Sequence, residues 1–488
     1  MTEPTIFELS SPGRKGVTFP KSDVPETKVP QNLARTILPM PEVSEIDVIR
    51  HFTRLSQLNY CIDTGFYPLG SCTMKYNPKI NEVAARLPGI ANVHPLQPEV
   101  TVQGNLALMY ELQQWLLEIS GFAGITMQPA AGAHGEYVGI LIIRAYHLSR
   151  GDKQRTKMLI PDSAHGTNPA SSSMSGFDVV KVATDENGNV DLDSLRSVCD
   201  DKVAGLMLTN PNTLGLFEQQ VQEVAQIVHE AGGLVYGDGA NLNALLGIVR
   251  PGDLGIDVMH FNLHKTFSTP HGGGGPGSGP VGVVEKLIDF LPFPVVEMLE
   301  PATAELPPYF GLVKPLHSIG RIKSFNGHFG MMVRAYTYIN MYGGNGLRRI
   351  GENAVLNANY LMSLVKDTYK LAYDRSCMHE FVVEGHWADA PDIHALDIAK
   401  RLMDYNFHPP TNYFPLIVPE ALMIEPTETE SKQSLDDFAN ALLQIAKEAK
   451  ENPQLLKDAP HNTPIGRLDE VKAAKDLVLC CWIPENYQ

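Results

Sequence analysis

An α/β fold with a mainly parallel sheet, followed by a smaller α+β region, is predicted by two patterns. Between about residues 100 and 285, short apolar runs alternate with segments of helical spacing, the signature of βαβ units covered on both faces. After about residue 325 the chain returns to helices with a few strands, and G-G-N-G-L (343–347) opens one helix. The 488 residues allow two to four domains. The expected division is an arm and helix over 1–60, a large α/β domain over 61–325 and a small α+β domain over 326–488.

In chain order, the first forty residues are Pro-rich and irregular (Pro4, Pro12, Pro20, Pro25, Pro30, Pro39) and read as an arm over the body or a partner. A helix is expected to start near Ser44, where S-E-I-D resembles a capping box ahead of apolar residues at helical spacing. Residues 60–80 are loop-like yet too aromatic for disorder, which suggests a binding loop. Helices are predicted over 103–120, 133–150 and 218–231. Strands are predicted at 158–161, 178–183, 204–209, 234–238 and 258–263, and S-G-P-V-G-V-V (278–284) also looks like a strand.

Composition excludes several classes. Hydrophobic residues at 43% with 19% charged residues are incompatible with wholesale disorder. Thirty-nine basic against 55 acidic side chains give a net charge of −16, which repels phosphate backbones and disfavours nucleic-acid binding. No apolar run reaches the roughly 18 residues of a membrane span. The opening M-T-E-P-T-I-F-E-L-S has no secretory signal pattern, and six Cys without C-x-x-C spacing fit a reducing compartment. A cytoplasmic location is expected.

In an open α/β sheet, ligands sit at the carboxyl ends of the strands. There, N-L-H-K-T-F (262–267) places Lys265, and Y-G-D-G-A-N (236–241) places Asp238. A partly desolvated Lys beside a carboxylate is the apparatus of Schiff-base chemistry, since burial favours the neutral, nucleophilic amine. In pyridoxal-phosphate enzymes such a carboxylate pairs with the pyridinium nitrogen. Q-P-A-A-G-A-H-G-E (128–136) offers a phosphate seat, with the N–H groups of Gly132 and Ala133 at a helix start and His134 expected over the cofactor ring. Singly, each element reads as a surface charge, a helix cap or a tight turn; their order along the chain makes the case.

Other patterns carry less. H-G-G-G-G-P-G (271–277) satisfies G-x-G-x-x-G but leads into a strand, so it reads as a loop bordering the site. His260 and His264 are four apart but lack the Glu of a zinc-protease motif, and no metal site is expected. Cys480 and Cys481 read as packing.

At this point the chain resembles the P-protein of the glycine cleavage system, the pyridoxal-phosphate glycine decarboxylase family. The resemblance rests on Y-P-L-G-S-C-T-M-K-Y-N-P-K (67–79), the 128–136 segment, D-S-A-H-G-T-N-P-A (162–170), T-N-P-N-T-L-G (209–215), G-D-G-A-N-L-N (237–243) and N-L-H-K-T-F-S-T-P-H-G-G-G-G-P-G (262–277). It implies the aspartate-aminotransferase-like scaffold, fold type I. It also implies decarboxylation of glycine, with transfer of the aminomethyl group to the lipoyl group of an H-protein. The chain resembles the separate second subunit, so a first subunit in an α2β2 heterotetramer is implied. Carried over residue by residue, Lys265 is the Schiff-base lysine holding pyridoxal 5'-phosphate, and Asp238 faces the pyridine nitrogen. His134 stacks on the ring and Ala240 packs on its other face, with His264 and Asn212 as cofactor contacts. Ser71 and Cys72 are candidates for substrate or the lipoyl arm, or else part of a polar loop anchored to the core. His165 and Thr167 lie near the cofactor or terminate a strand. Two alternatives stay open: another fold-type-I enzyme such as an aminotransferase, and a non-catalytic structural subunit.

Overall fold

The computed structural model describes residues 3–35, 40–270, 277–477 and 479. Its main sheet has seven strands: β1 (Gly124–Thr126), β2 (Lys157–Pro161), β3 (Asp178–Val182), β4 (Val203–Thr209), β5 (Leu234–Asp238), β6 (Val258–His260) and β7 (Val281–Val283). Their spatial order is β1-β7-β6-β5-β4-β2-β3. Strands β6, β5, β4, β2 and β3 run parallel, whereas β7 is antiparallel to both β6 and β1.

The strand assignments at 158–161, 178–183, 204–209 and 234–238 match β2 to β5 within a residue. Strand β6 is shorter than expected, because the chain turns into a single helical turn, Leu263–Thr266. Strand β1 has only three residues and gave too little periodicity to read.

The central strands β4 and β5 are buried along their whole length, as a sheet covered on both faces requires. Val235 packs on one face with Leu112, Leu116, Val224 and Val228, from the helices Gln103–Ser120 and Val221–Glu230. Its neighbours Leu234 and Tyr236 point to the other face, against Val138 and Ile142 of the helix Gly132–Ser149. The helices expected at 103–120, 133–150 and 218–231 are therefore the layers that cover the sheet. At the predicted Ser44 cap, the Ser44 hydroxyl accepts the Asp47 N–H at 3.3 Å, and the Asp47 carboxylate accepts the Ser44 N–H at 3.1 Å.

Two further sheets follow: a hairpin of β8 (Val295–Glu300) with β9 (Tyr309–Val313), and a three-stranded sheet ordered β10 (Phe381–Glu384), β12 (Ala421–Ile424), β11 (Thr411–Asn412). The helical run Phe329–Val365 is broken at Gly343, whose φ of 60° and ψ of 178° are non-helical. The run packs on the main core through Met332, Ala335, Ile339, Leu347 and Ile350, and on the later core through Ala358, Leu361 and Val365. G-G-N-G-L (343–347) thus begins the second half.

The later sheet reaches back to the main one. Gly215, at φ +77°, lies so close to residue 380 that an added Cβ would stand 1.9 Å from the Glu380 carbonyl oxygen. Its own carbonyl accepts the Met378 N–H at 2.7 Å. Among the described residues, no helix is long and apolar enough to cross a membrane.

Leu116 is fully buried where the helix meets the sheet. Leu116→Ala is expected to cost about 2–5 kcal/mol, the usual range for a truncated core leucine, read from the denaturant midpoint.

Candidate active site

At the carboxyl ends of β5 and β6 lies a cavity of about 450 Å³. Parallel pairing brings its main residues together: Tyr236 pairs with Val258 and Gly237 with Met259, which sets Asp238 beside His260. The Leu263–Thr266 turn then raises Lys265 over the same edge. Asp238, Lys265, Gly132, Ala133, Ala240, His264 and Ser71 all line this cavity.

The Lys265 Nζ donates to the Ser71 carbonyl oxygen at 2.6 Å. Asp238 is buried; its Oδ1 accepts the Ala240 N–H at 3.0 Å and lies 3.5 Å from His260 Nε2. His260 is held on both sides, with the Tyr236 hydroxyl 2.5 Å from Nδ1 and the Asn262 amide 2.9 Å from Nε2. Burial holds the His260 imidazole below its usual pKa range, against the opposing pull of Asp238. His260 therefore braces the Asp238 carboxylate through its geometry. As a sequence feature it was visible only as half of a rejected zinc pair.

The far wall is the start of the 18-residue helix Gly132–Ser149, whose first N–H groups have no partner within the helix. A Cβ on Gly132 would stand 2.3 Å from Asn262 Oδ1, so any side chain there would displace Asn262. An anion-binding helix start, a lysine and a buried carboxylate around one cavity have the donor types that the phosphate, the aldehyde carbon and the ring nitrogen of pyridoxal phosphate require.

Three of the residues expected at the site lie off this cavity's lining. His134 is turned away from the cavity, and its Nδ1 accepts the Ala130 N–H at 3.1 Å. His165, just past β2, lines the cavity instead, edge-on to Phe414. Burial lowers the His165 pKa, while Asp238 raises it and Lys265 lowers it further, so the ring is within electrostatic range of both. Asn212 also lies off the cavity: its amide donates to the Gly188 carbonyl and its Oδ1 accepts the Leu214 and Leu216 N–H groups, holding a loop. Cys72 is not part of the cavity lining, and burial pushes its thiol pKa up while the Lys265 charge opposes this. Thr167 lines the cavity with His165. Of the glycine loop at 271–277, only Gly277 is among the described residues, and its carbonyl oxygen lies 2.7 Å from His328 Nδ1. Cys480 and Cys481 lie outside the described residues.

Several lining residues were not read from the sequence: Glu136, Thr209, Thr213, Asn262 and His328. Glu136 had a legible position, one helical turn after Gly132. Its Oε2 accepts the Thr167 hydroxyl at 3.0 Å, while its buried Oε1 has no partner. Burial first, and then the Asp238 charge, push its carboxyl up to about 7.

A family model described as "Glycine cleavage system P-protein" matches residues 20–306, and "Glycine dehydrogenase, C-terminal domain" matches 350–463. A "Probable glycine dehydrogenase (decarboxylating) subunit 2" of Caldanaerobacter subterraneus is 60% identical over 97% of this chain and 98% of its own length. Proteins of the same description from Alkaliphilus oremlandii and Listeria monocytogenes are 58% and 56% identical, over 97% and 98% of this chain and 97% and 98% of their own lengths. Among solved structures, an inhibitor-bound glycine decarboxylase (P-protein) aligns with TM-score 0.72 at 20% identity, over 86% of this chain and 93% of its own. A cysteine desulfurase from Thermococcus onnurineus aligns at TM-score 0.60 and 16% identity, over 79% of this chain and 95% of its own. The fold is fold type I of the pyridoxal-phosphate enzymes.

Glu136 predicts a pH dependence. A carboxyl whose folded pKa is raised supports the fold below its ordinary value of 4.5, and that support is lost as pH rises through about 7. In cofactor-free protein, Glu136→Gln is therefore expected to gain about 1–3 kcal/mol on the native chain between pH 4.5 and pH 8. Denaturant melts at both pH values check this; a constant difference contradicts it.

Proposed function

Because the chain belongs to the glycine cleavage system P-protein family, we propose that it is the cofactor-bearing second subunit of a two-chain glycine dehydrogenase (decarboxylating). Glycine loses CO2, and its aminomethyl group passes to the lipoyl group of an H-protein, whose disulfide is reduced. The observation that carries this reading is Lys265 and Asp238 at one sheet edge, facing an anion-binding helix start across one cavity.

Pyridoxal phosphate, when bound, supplies an electron-withdrawing ring that takes up the electron pair left as the glycine carboxylate departs. Lys265 is the residue that would hold it covalently. The Gly132 and Ala133 N–H groups would take its phosphate, Asp238 its ring nitrogen, and Ala240 and His264 its flanks. His165 takes the place first given to His134, because its ring is at the cavity and that of His134 is not. The Ala240 N–H and the neighbouring His260 position Asp238 toward the cavity, where its carboxyl group would face the ring nitrogen of the bound cofactor. The Ser71 carbonyl holds the Lys265 Nζ at the cavity edge.

The proposed partners are the first P-protein subunit, in an α2β2 assembly, and the lipoylated H-protein, in the cytoplasm. The division at residues 61–325 and 326–488 belongs to the same reading. Within the helix Phe329–Val365, buried residues belong to the main core up to Ile350 and to the later core from Ala358, so the two cores meet inside this helix.

Two alternatives are separated by one titration. Visible absorption of the chain, alone and with its partner subunit, is expected to show a band that requires Lys265 and changes with glycine but not alanine. An equal response to alanine favours an aminotransferase, and no band even with the partner favours a structural subunit. Asp238→Ala is expected to lower glycine turnover about a hundredfold or more, because it strips a buried charge of its partner; kcat measurements check this.

A further inference from the structure

The 66–78 segment, which supplies the acceptor for Lys265, is itself held from the other sheet. Strands β10 and β12 are antiparallel, with Phe381 opposite Ile424, so Glu380 just before β10 and Glu425 just after β12 stand side by side. Both are fully buried, as is His379. Glu380 Oε2 accepts the Ser71 N–H at 2.6 Å, and Glu425 Oε2 accepts the Thr73 N–H at 2.9 Å. Ser71 and Thr73 have φ of 64° and 47°, the left-handed region that a β-branched Thr rarely enters. Such conformations persist only where surroundings impose them.

We propose that Glu380 and Glu425 are positioning residues for Lys265: by gripping the Ser71 and Thr73 N–H groups they hold the Ser71 carbonyl against the lysine Nζ. This rests on reading Lys265 as the reactive lysine. The grip is continuous. Each carboxyl group takes one N–H, the two gripped residues are the ones in the strained conformation, and the carbonyl of the first accepts Nζ at 2.6 Å. The opposite oxygens, Glu380 Oε1 and Glu425 Oε1, have no hydrogen-bond partner, and each lies 3.9 Å from His379 Nε2. Two buried carboxylates side by side are costly, and an arrangement of that cost needs a task. Burial pushes both carboxyls up, Glu425 to about 7, and the Lys265 charge opposes this. Burial takes the neighbouring His379 down to about 3, so the imidazole is neutral and adds no charge to the grip. The three side chains also have the donor types of a cation site, with ligand atoms within 4.8 Å of one another.

The test is the rate at which acetic anhydride labels Lys265 in the cofactor-free chain, read by peptide mass at fixed pH. It does not depend on which reaction the loaded enzyme performs, so it can fail while the decarboxylase reading stands. In Glu380→Ala the grip is lost and Nζ is released, so labelling is expected to rise about three- to tenfold, the fold-change of one net hydrogen bond. Glu380→Gln keeps an oxygen for the Ser71 N–H, so labelling within about twofold of the native rate is expected. Should Glu380→Ala not fold, the pair Glu425→Ala and Glu425→Gln asks the same question through Thr73. Native labelling in the folded alanine variants would overturn the proposal, as would rates equally raised in the glutamine and alanine variants. A stoichiometric divalent ion in the purified chain, whose chelation alone accelerates labelling, would also overturn it by making the triad a metal site.

Discussion

Parallel pairing of β5 with β6 is the constraint on which the site depends. With Gly237 opposite Met259, the carboxyl end of β5 delivers Asp238 beside His260, and the turn after β6 sets Lys265 over the same edge. A slip of one residue would turn Asp238 to the opposite face and leave the lysine without a facing carboxylate. Both strands are buried on two faces, so the register is tied to the packing of Val235 against one helical layer and Tyr236 against the other. The proposed site residues are thus positioned by the same hydrophobic contacts that make the sheet.

A second layer of control comes from residues distant in sequence. Residues 66–78 lie between the two sheets. Lys75 is buried with its Nζ 2.9 Å from Glu428, 2.8 Å from Asn243 and 3.1 Å from the Tyr338 hydroxyl. Leu69 bridges to Ile424, and Asn77 donates to Ser268, three residues past Lys265. A buried ion pair is weak support for stability in itself, but it fixes one arrangement among many. Here that arrangement brings a backbone carbonyl to the reactive amine.

Much of this was legible in the sequence. Strands β2 to β5 are short and mostly apolar, with β3 (D-V-V-K-V) the most mixed, and alternate with helical segments, so both their positions and the parallel sheet could be read. Lys265 and Asp238 followed from the rule that ligands gather at strand ends. The three-residue β1 and the antiparallel pairing of β7 were not legible, since strands so short leave no period. His134 was read as the stacking residue because it stands next to the helix start, and only the fold shows its Nδ1 accepting the Ala130 N–H and His165 lining the cavity. Glu380 and Glu425 sit 309 and 352 residues from the groups they hold, a separation that no local pattern encodes.

The most direct test of the central claim is borohydride reduction of the cofactor-loaded chain, followed by digestion and peptide mass measurement. The account predicts the mass of reduced pyridoxal phosphate on the peptide that contains Lys265, and on no other lysine. The mass on Lys75, a buried lysine near the site, or its absence from a chain that binds the cofactor, would contradict the assignment of Lys265.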